Sequence, residues 1–331
     1  AYTWLKRGRA AMKFAILGAG ALGSILGGHL IRAGNDVAML ARGRRAADLR
    51  DNGIRVQGLS DLTVPCQVVT DPAALQEADV LIVTVNTYQT EDAIHPLKHL
   101  RVGSVFSVAN GVLKNRQLGA VFGDDKVLGS IAMVSGELLG DGAVNFTVNQ
   151  LLEIGALPSG PSAVGSTIAE HLNDAVINTA VSETIQTDEW SKYVNWSGMM
   201  ALSVLTRLAT YKFLADPKAA RVAAKVMRET AALAAALEIP LSDRPPVACD
   251  AIGGGSEDDA VAVLQKLGRA FEKNAPQHRV SALQDVERGQ HLEIHETLGH
   301  TIAEAGRLGV PVPTIETCYG LIGAVDRWID N

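Results

Sequence analysis

Three glycines with the spacing of a phosphate cradle follow an apolar run near the N-terminus. Phe14-Ala15-Ile16-Leu17 leads into Gly18-Ala19-Gly20-Ala21-Leu22-Gly23, a Gly-x-Gly-x-x-Gly sequence, and an amphipathic pattern comes next. That order reads as the strand, tight turn and helix of a dinucleotide-binding unit. Gly18 permits the turn, Gly20 keeps the backbone bare where a pyrophosphate would approach, and Gly23 lets the helix sit close to the strand. Ala19, Ala21 and Leu22 complete the loop, whose free N–H groups lie at the positive end of the helix dipole and would hold the pyrophosphate. Glycine is common here, with 32 residues, so the motif draws its weight from its neighbours. Leu22, Ile25, Leu26 and Leu30 recur at helical spacing, Gly34 stands where a helix-ending glycine belongs, and Asp36 to Leu40 reads as a second strand.

The end of that second strand bears on which dinucleotide is bound. NAD-specific folds place a carboxylate about 20 residues beyond the glycines, for the ribose hydroxyls. This chain has Ala41-Arg42-Gly43-Arg44-Arg45 there, and no carboxylate before Asp48. A guanidinium offers paired, charge-assisted hydrogen bonds that suit a 2′-phosphate. Arg42 is the expected contact, with Arg44 or Arg45 in support, and NADPH/NADP+ is the expected cofactor. A solvated basic turn is the alternative.

In the second half, Glu189-Trp190-Ser191-Lys192-Tyr193-Val194-Asn195-Trp196 opens a long helical pattern. At about 100° per residue, Trp190, Tyr193, Val194, Gly198, Ala201 and Leu205 share a core face. Lys192, Asn195, Trp196 and Met199 fall on another, mixing one cation with apolar groups as a cleft wall does. Partial desolvation by Trp196 would ease proton donation from Lys192; a solvated surface lysine is the alternative. His291 and His295 are one turn apart, and His295-Glu296 begins a zinc-protease pattern, but position 299 is glycine, so no metal is expected. Cys66, Cys249 and Cys318 form neither a ligand pattern nor a disulfide framework, which fits a reducing compartment.

From about Met12 to the C-terminus the chain resembles the ketopantoate reductase (2-dehydropantoate 2-reductase) family. The resemblance rests on the Gly18–Gly23 loop, on Arg42, on Ala109-Asn110-Gly111 after a strand ending near Val108, on Trp190-Ser191-Lys192, and on Ser281-Ala282-Leu283-Gln284-Asp285-Val286-Glu287-Arg288-Gly289 followed by Glu293. It implies reduction of 2-dehydropantoate to (R)-pantoate by NADPH, for pantothenate and coenzyme A synthesis. It implies Lys192 as the general acid, Glu293 as the carboxylate that positions the lysine and the substrate hydroxyl, and Asn110 beside the nicotinamide and reacting centre. Ser281 would contact the substrate carboxylate, and Arg42 the 2′-phosphate. Asn86 stands on the cofactor side, where the family often has a lysine. Asn195, one residue ahead of a family asparagine, would face the substrate. Trp196 and Met200, four and eight residues after Lys192, and Leu298 all replace family asparagines.

These departures read as a less polar, less cationic pocket, so a more apolar 2-oxo acid or ketone is a second substrate reading. A third, of another class, is an NADP(H)-binding sensor without catalysis; the Lys192–Glu293 pair argues against it, because a sensor needs no proton donor. Local alternatives also stand. Asn110-Gly111 is a strong turn pair, Glu293 could be an exposed helix residue, and Ser281 could be a helix N-cap whose Gln284 completes a capping box.

Strands and helices must position these groups. Apolar, β-branched runs at Val80 to Val85, Ser104 to Val108 and Val127 to Val134 read as buried parallel strands. Asp71-Pro72-Ala73 reads as an N-capped helix start. Val144, Phe146 and Val148 alternate with polar residues, as in antiparallel strands at a sheet edge. Ser162 to Leu172 reads as a helix and Ala175 to Ala180 as a last strand. Beyond about Ser182 the periodicity is helical, at Asp188 to Leu208, Pro217 to Leu237, Glu257 to Asn274, Leu292 to Leu308 and Thr314 to Ile329. Gly253-Gly254-Gly255-Ser256-Glu257-Asp258-Asp259 reads as a loop and acidic helix start rather than a phosphate cradle, since no strand precedes it. The expected fold class is α/β: an N-terminal Rossmann-type dinucleotide-binding domain (12–182), then a C-terminal all-helical substrate and dimerisation domain (183–331), with the active site in the cleft between them.

Size and charge agree. A length of 331 residues allows two domains, and 47% hydrophobic with 20% charged residues is ordinary for a globular protein. A net charge of −6 gives no footprint for nucleic acid, and no apolar stretch is long enough to span a membrane. A cytoplasmic location, a small-molecule 2-oxo acid partner and a homodimer built on Gly- and Ala-rich helices are the expectations. Residues 1–11 are basic through Lys6, Arg7 and Arg9, lack the apolar stretch of a secretory signal and carry no assigned function; Met12-Lys13 reads as a natural start.

Overall fold

The computed structural model describes residues 10–243 and 249–329, which form two compact units. The first holds the described residues up to Ala109 together with Lys114–Ile185; the second holds Asn110–Leu113 and the described residues from Gln186 on.

The first unit begins with β1 (Lys13–Leu17), α1 (Ala21–Arg32), β2 (Asp36–Leu40), α2 (Gly43–Asn52), β3 (Ile54–Gly58), β4 (Leu62–Val64) and β5 (Gln67–Val69). It continues through β6 (Glu77–Val83), α3 (Thr87–Ile94), β7 (Arg101–Ser107), α4 (Leu113–Phe122), β8 (Leu128–Leu138), β9 (Val144–Ala156), α5 (Ala163–Asp174) and β10 (Thr179–Val181). One sheet has the order β5-β2-β1-β6-β7, with every pairing parallel. Strands β1, β2, β6 and β7 are buried on both faces, while the edge strand β5 is partly exposed. Phe14 and Ile16 of β1 join one apolar cluster, Ala15 and Leu17 the other. Two-sided burial is why these strands read as continuous apolar runs.

The second sheet has the order β10-β9-β3-β4, with β8 pairing β9 antiparallel along its length. Helix α1 lies between the sheets, and its glycine pair shows how tightly. A Cβ on Gly27 would come within 2.5 Å of Met39 Sδ of the first sheet, and one on Gly28 within 2.9 Å of Leu62 Cδ1 of the second. Two helix-interior glycines cost stability through backbone entropy, and here they let both sheets approach one helix.

Three expectations are corrected in this unit. Val127 to Val134 is not a strand of the parallel sheet: β8 turns back on β9 through Leu139 to Ala143. An apolar run records burial and not direction, and the short hairpin connection sets the antiparallel pairing. Strand β9 is interior rather than an edge, since it also pairs parallel with β3 at Val144 to Phe146 and with β10 at Leu152 to Ile154. Asp71 does cap, accepting from Ala73 N–H at 3.0 Å, but it starts only the single 3-10 turn Pro72–Ala74.

The second unit comprises α6 (Ile185–Thr206), α7 (Thr210–Ala215), α8 (Pro217–Ala236), α9 (Cys249–Gly254), α10 (Glu257–Asn274), α11 (Ser281–Glu287), α12 (His300–Leu308) and α13 (Pro313–Arg327). Among the described residues no strand lies beyond Val181. The predicted core face of α6 is buried at Trp190, Tyr193, Val194 and Ala201, and Gly198 packs against α8, where a Cβ would meet the Ala223 carbonyl oxygen at 2.7 Å. Ser256 caps α10 in a reciprocal capping box with Asp259 and its first turn is acidic, as the sequence suggests, while Gly253 and Gly254 end the short helix α9 rather than lying in a loop. The expected helix from Leu292 is interrupted: Glu293 lies in a turn, His295–Gly299 is a π-helical turn closed by Gly299 N–H to the Ile294 carbonyl at 2.8 Å, and α12 follows.

Candidate active site

The glycine loop of the first unit is held from two sides. Gly18 takes φ +105°, and a Cβ there would meet Val85 Cγ1 at 2.8 Å and Thr84 Oγ1 at 2.9 Å. Thr84, just after β6, donates its hydroxyl to the Gly18 carbonyl at 2.7 Å. Gly23 sits over that same carbonyl, where a Cβ would lie 1.9 Å from the oxygen. Gly20 differs, because a Cβ on it would meet nothing within 4 Å. It is the N-cap of α1, with no side-chain cap and no acidic residue in the first turn. Bare N–H groups at a helix N-terminus beside open space suit an anion, so the residues present fit a pyrophosphate. Ala19 is buried, while Ala21 and Leu22 are half-buried on the first turn.

The three arginines after β2 part company. Arg42 is the exposed N-cap of α2, another helix start with no side-chain cap and no acid in its first turn. Among the described residues no hydrogen bond or ion pair engages its side chain. Arg44 is exposed, reaching the Gly140 carbonyl at 3.5 Å. Arg45 turns inward, and its expected support of a 2′-phosphate is corrected: Nε donates to the Ala19 carbonyl at 2.8 Å, Nη2 to Ser24 Oγ at 2.8 Å, and Nη1 to the Gly142 carbonyl at 2.7 Å and to Asp48. Asn86 follows β6 as expected, at the N-cap of α3, with Nδ2 donating to Tyr88 Oη at 2.9 Å.

In the second unit Asn110 joins two distant residues. Lys192 Nζ donates to Asn110 Oδ1 at 3.4 Å, and Asn110 Nδ2 donates to Glu293 Oε2 at 3.1 Å. This orientation of the amide offers its oxygen to a cation and its N–H to a carboxylate, which is the only complementary one. All three residues are half-buried. Asn110-Gly111 is also a turn: Gly111 has φ +78°, and a Cβ there would press on Thr297 Cγ2 at 3.0 Å. Thr297 belongs to the π-helical turn and donates its hydroxyl to the Glu293 carbonyl. The π turn thus braces both the Asn110 loop and the backbone of Glu293.

Trp196, one turn beyond Lys192, stacks on Tyr193 with ring centres 6.1 Å apart, and stays half-exposed. Asn195, expected to face the substrate, is buried, and its Oδ1 accepts from the Cys249 thiol at 3.6 Å. Met200 and Leu298 are 1% and 0% exposed in the helical core, so they fill that core rather than recolour a pocket wall. Ser281 is exposed and its hydroxyl makes no hydrogen bond among the described residues. It is the first helical residue and not the cap; Val280 holds the N-cap position, and Gln284 turns to the Arg279 carbonyl at 2.9 Å. Asp285, unremarked within its motif, has its carboxyl pushed up to about 6 by burial and by the nearby Glu293 charge. Among the described residues no cluster of three or more His, Cys, Asp or Glu could hold a metal, and no helix is long and apolar enough to cross a membrane.

Comparison with known proteins places the chain in one family. Residues 14–159 match the family model of ketopantoate reductase PanE/ApbA, and residues 184–326 match that of its C-terminal part. The 2-dehydropantoate 2-reductase of Archaeoglobus fulgidus is 27% identical over 311 residues, covering 94% of this chain and 97% of the relative. That of Pyrococcus abyssi is 26% identical over 312 residues, covering 94% and 97%. The crystal structure of a PanE/ApbA family ketopantoate reductase from Ralstonia eutropha JMP134 superposes with a TM-score of 0.81 at 27% identity, covering 97% of this chain and 100% of that one. With both halves matched in order, the chain belongs to the ketopantoate reductase family of oxidoreductases.

Proposed function

We propose that the chain reduces 2-dehydropantoate to (R)-pantoate with NADPH, serving pantothenate synthesis. The observation that carries this is the Lys192–Asn110–Glu293 arrangement, in which one amide is hydrogen-bonded to a cation at 3.4 Å and to a carboxylate at 3.1 Å. NADPH, when bound, supplies the hydride. The keto group gains that hydride at C2 and a proton at oxygen, and the C=O π pair becomes the alkoxide lone pair that takes the proton. Lys192 Nζ is the proton donor, and its charge stabilises the oxygen as negative charge grows there. Asn110 holds Nζ in place, and Glu293 balances the ammonium charge through the amide. Solvent returns the proton to Lys192.

On the cofactor, Gly18, Ala19, Gly20, Ala21, Leu22 and Gly23 would hold the pyrophosphate by backbone N–H groups. Exposed Arg42 at the α2 N-terminus would take the 2′-phosphate. The absence of a carboxylate between the end of β2 and Asp48 supports NADPH over NADH. Asn86 is assigned to the cofactor side, and Ser281 to the substrate carboxylate.

One observation favours a bulkier, more apolar 2-oxo acid as a second reading: the half-exposed Trp196 indole lies one turn from Lys192. The test is oxidation of NADPH by purified protein with 2-dehydropantoate, beside NADH and a panel of larger 2-oxo acids. Rapid NADPH-linked turnover of 2-dehydropantoate is expected. Turnover only of a larger substrate supports the second reading, and no turnover with any panel member refutes both.

A further inference from the structure

We infer that Arg45 is a positioning residue for the glycine loop: it sets the affinity for the pyrophosphate half common to NADPH and NADH, and not the choice between them. The inference rests on the loop reading proposed above. The Arg45 side chain is 16% exposed, and its planar fork spans four acceptors, Ala19 O, Ser24 Oγ, Gly142 O and Asp48 Oδ2. Ser24, 0% exposed on α1, adds its own hydroxyl to the Ala19 carbonyl at 3.2 Å.

That carbonyl is the important acceptor. In a trans peptide the C=O and the following N–H point in opposite directions. Fixing Ala19 O toward Arg45 therefore turns the Gly20 N–H away from it. Thr84 fixes the preceding carbonyl, Gly18 O, at 2.7 Å. Two successive peptides of the loop are thus oriented before any ligand arrives, so binding does not have to supply that ordering.

The socket is closed by the β8–β9 hairpin. Gly142 has φ +84°, and a Cβ there would lie 2.3 Å from Asp48 Oδ2, so a side chain at this position would be strained and would press on the carboxylate that pairs with Arg45. Arg55 lies 3.6 Å from the other Asp48 oxygen, and Asn52 Nδ2 donates to that oxygen at 2.9 Å. With its fork and its charge engaged in this way, Arg45 is poorly placed to serve a 2′-phosphate, whereas Arg42 and Arg44 are exposed. A lysine cannot replace Arg45, because one ammonium cannot reach four acceptors arranged for a planar fork.

The test is direct titration of the wild type, Arg45→Lys, Ser24→Ala and Arg42→Ala with NADPH and with NADH, followed by steady-state kinetics. Arg45→Lys is expected to weaken both nucleotides by the same factor, about tenfold or more, with the loss in KM for the nucleotide rather than in kcat. Ser24→Ala should weaken both by a smaller common factor, and Arg42→Ala should weaken NADPH alone. If Arg45→Lys fails to fold by circular dichroism, Ser24→Ala carries the test. The inference is overturned if Arg45→Lys or Ser24→Ala changes the NADPH-to-NADH preference, or if the folded variants bind both as the wild type does. A wild type that binds neither nucleotide removes the loop reading, and the inference with it, before any variant is compared.

Discussion

A methyl group added at Gly23 would lie 1.9 Å from the Gly18 carbonyl oxygen and 2.7 Å from Thr84 Oγ1. Ordinary carbon–oxygen contacts are about 3.3 Å or longer, so Gly23→Ala forces the start of α1 more than about 1 Å off the loop. Overpacking of this kind costs about 1–3 kcal/mol, offset in part by about 0.5–1 kcal/mol from replacing a helical glycine. In a domain of this size each kcal/mol moves the melting temperature by about 2–4 °C, so the net cost of about 0.5–2 kcal/mol gives an expected fall of roughly 1–8 °C. Gly20→Ala supplies the contrast. Its Cβ meets nothing within 4 Å, and φ −70°, ψ −159° suits alanine. Stability should change by less than about 1 kcal/mol. The new methyl would instead occupy the space assigned to the pyrophosphate and weaken NADPH by about tenfold or more, the scale of a few lost hydrogen bonds. Thermal unfolding by circular dichroism and titration of nucleotide fluorescence measure both effects. A Gly20→Ala protein with wild-type NADPH affinity, or a Gly23→Ala protein with the wild-type melting temperature, would refute the reasoning.

Other outcomes follow from the same geometry. Lys192→Ala should lower kcat by about 10²–10⁴, the usual scale of a lost general acid, while NADPH affinity stays within a few fold; stopped-flow reduction and nucleotide titration separate the two. Asp285→Asn should raise stability at pH 8 and leave it unchanged at pH 4. The folded-state carboxyl is raised from 3.8 to about 6, so its contribution is fully present below pH 4 and is lost as pH rises to about 6. Melting curves at the two pH values check the sign and a size of order 1–3 kcal/mol. The Cys249 and Cys318 thiols, each pushed up to about 11 by burial, should resist alkylation at pH 8 until the chain unfolds, with half-buried Cys66 reacting first; mass spectrometry of peptides after brief iodoacetamide treatment reads this out.

The glycine loop was legible in the residue order because its demands are local. A turn at Gly18 and a close helix at Gly23 are set by neighbours within a few positions, and an apolar run on either side marks the strand and the helix. The core face of α6 was legible for the same reason, since periodicity records which side of an element is buried. What covers that side is not recorded. Met200 and Leu298 look like pocket substitutions in the sequence and are core residues in the fold. Asn195 looks like a substrate contact and meets Cys249. Three arginines stand together after β2, yet the one that turns inward is chosen by Ala19 and Ser24, 26 and 21 residues earlier, and by Gly142, 97 residues later. The strand direction of β8 was likewise hidden, because hydrophobicity measures burial and is blind to polarity of the chain. Asn110, Lys192 and Glu293 could be nominated singly by residue type and resemblance. Their meeting at one amide, across separations of 82 and 183 residues, is a property of the tertiary structure alone, because no local pattern encodes the distance between segments so far apart in the chain.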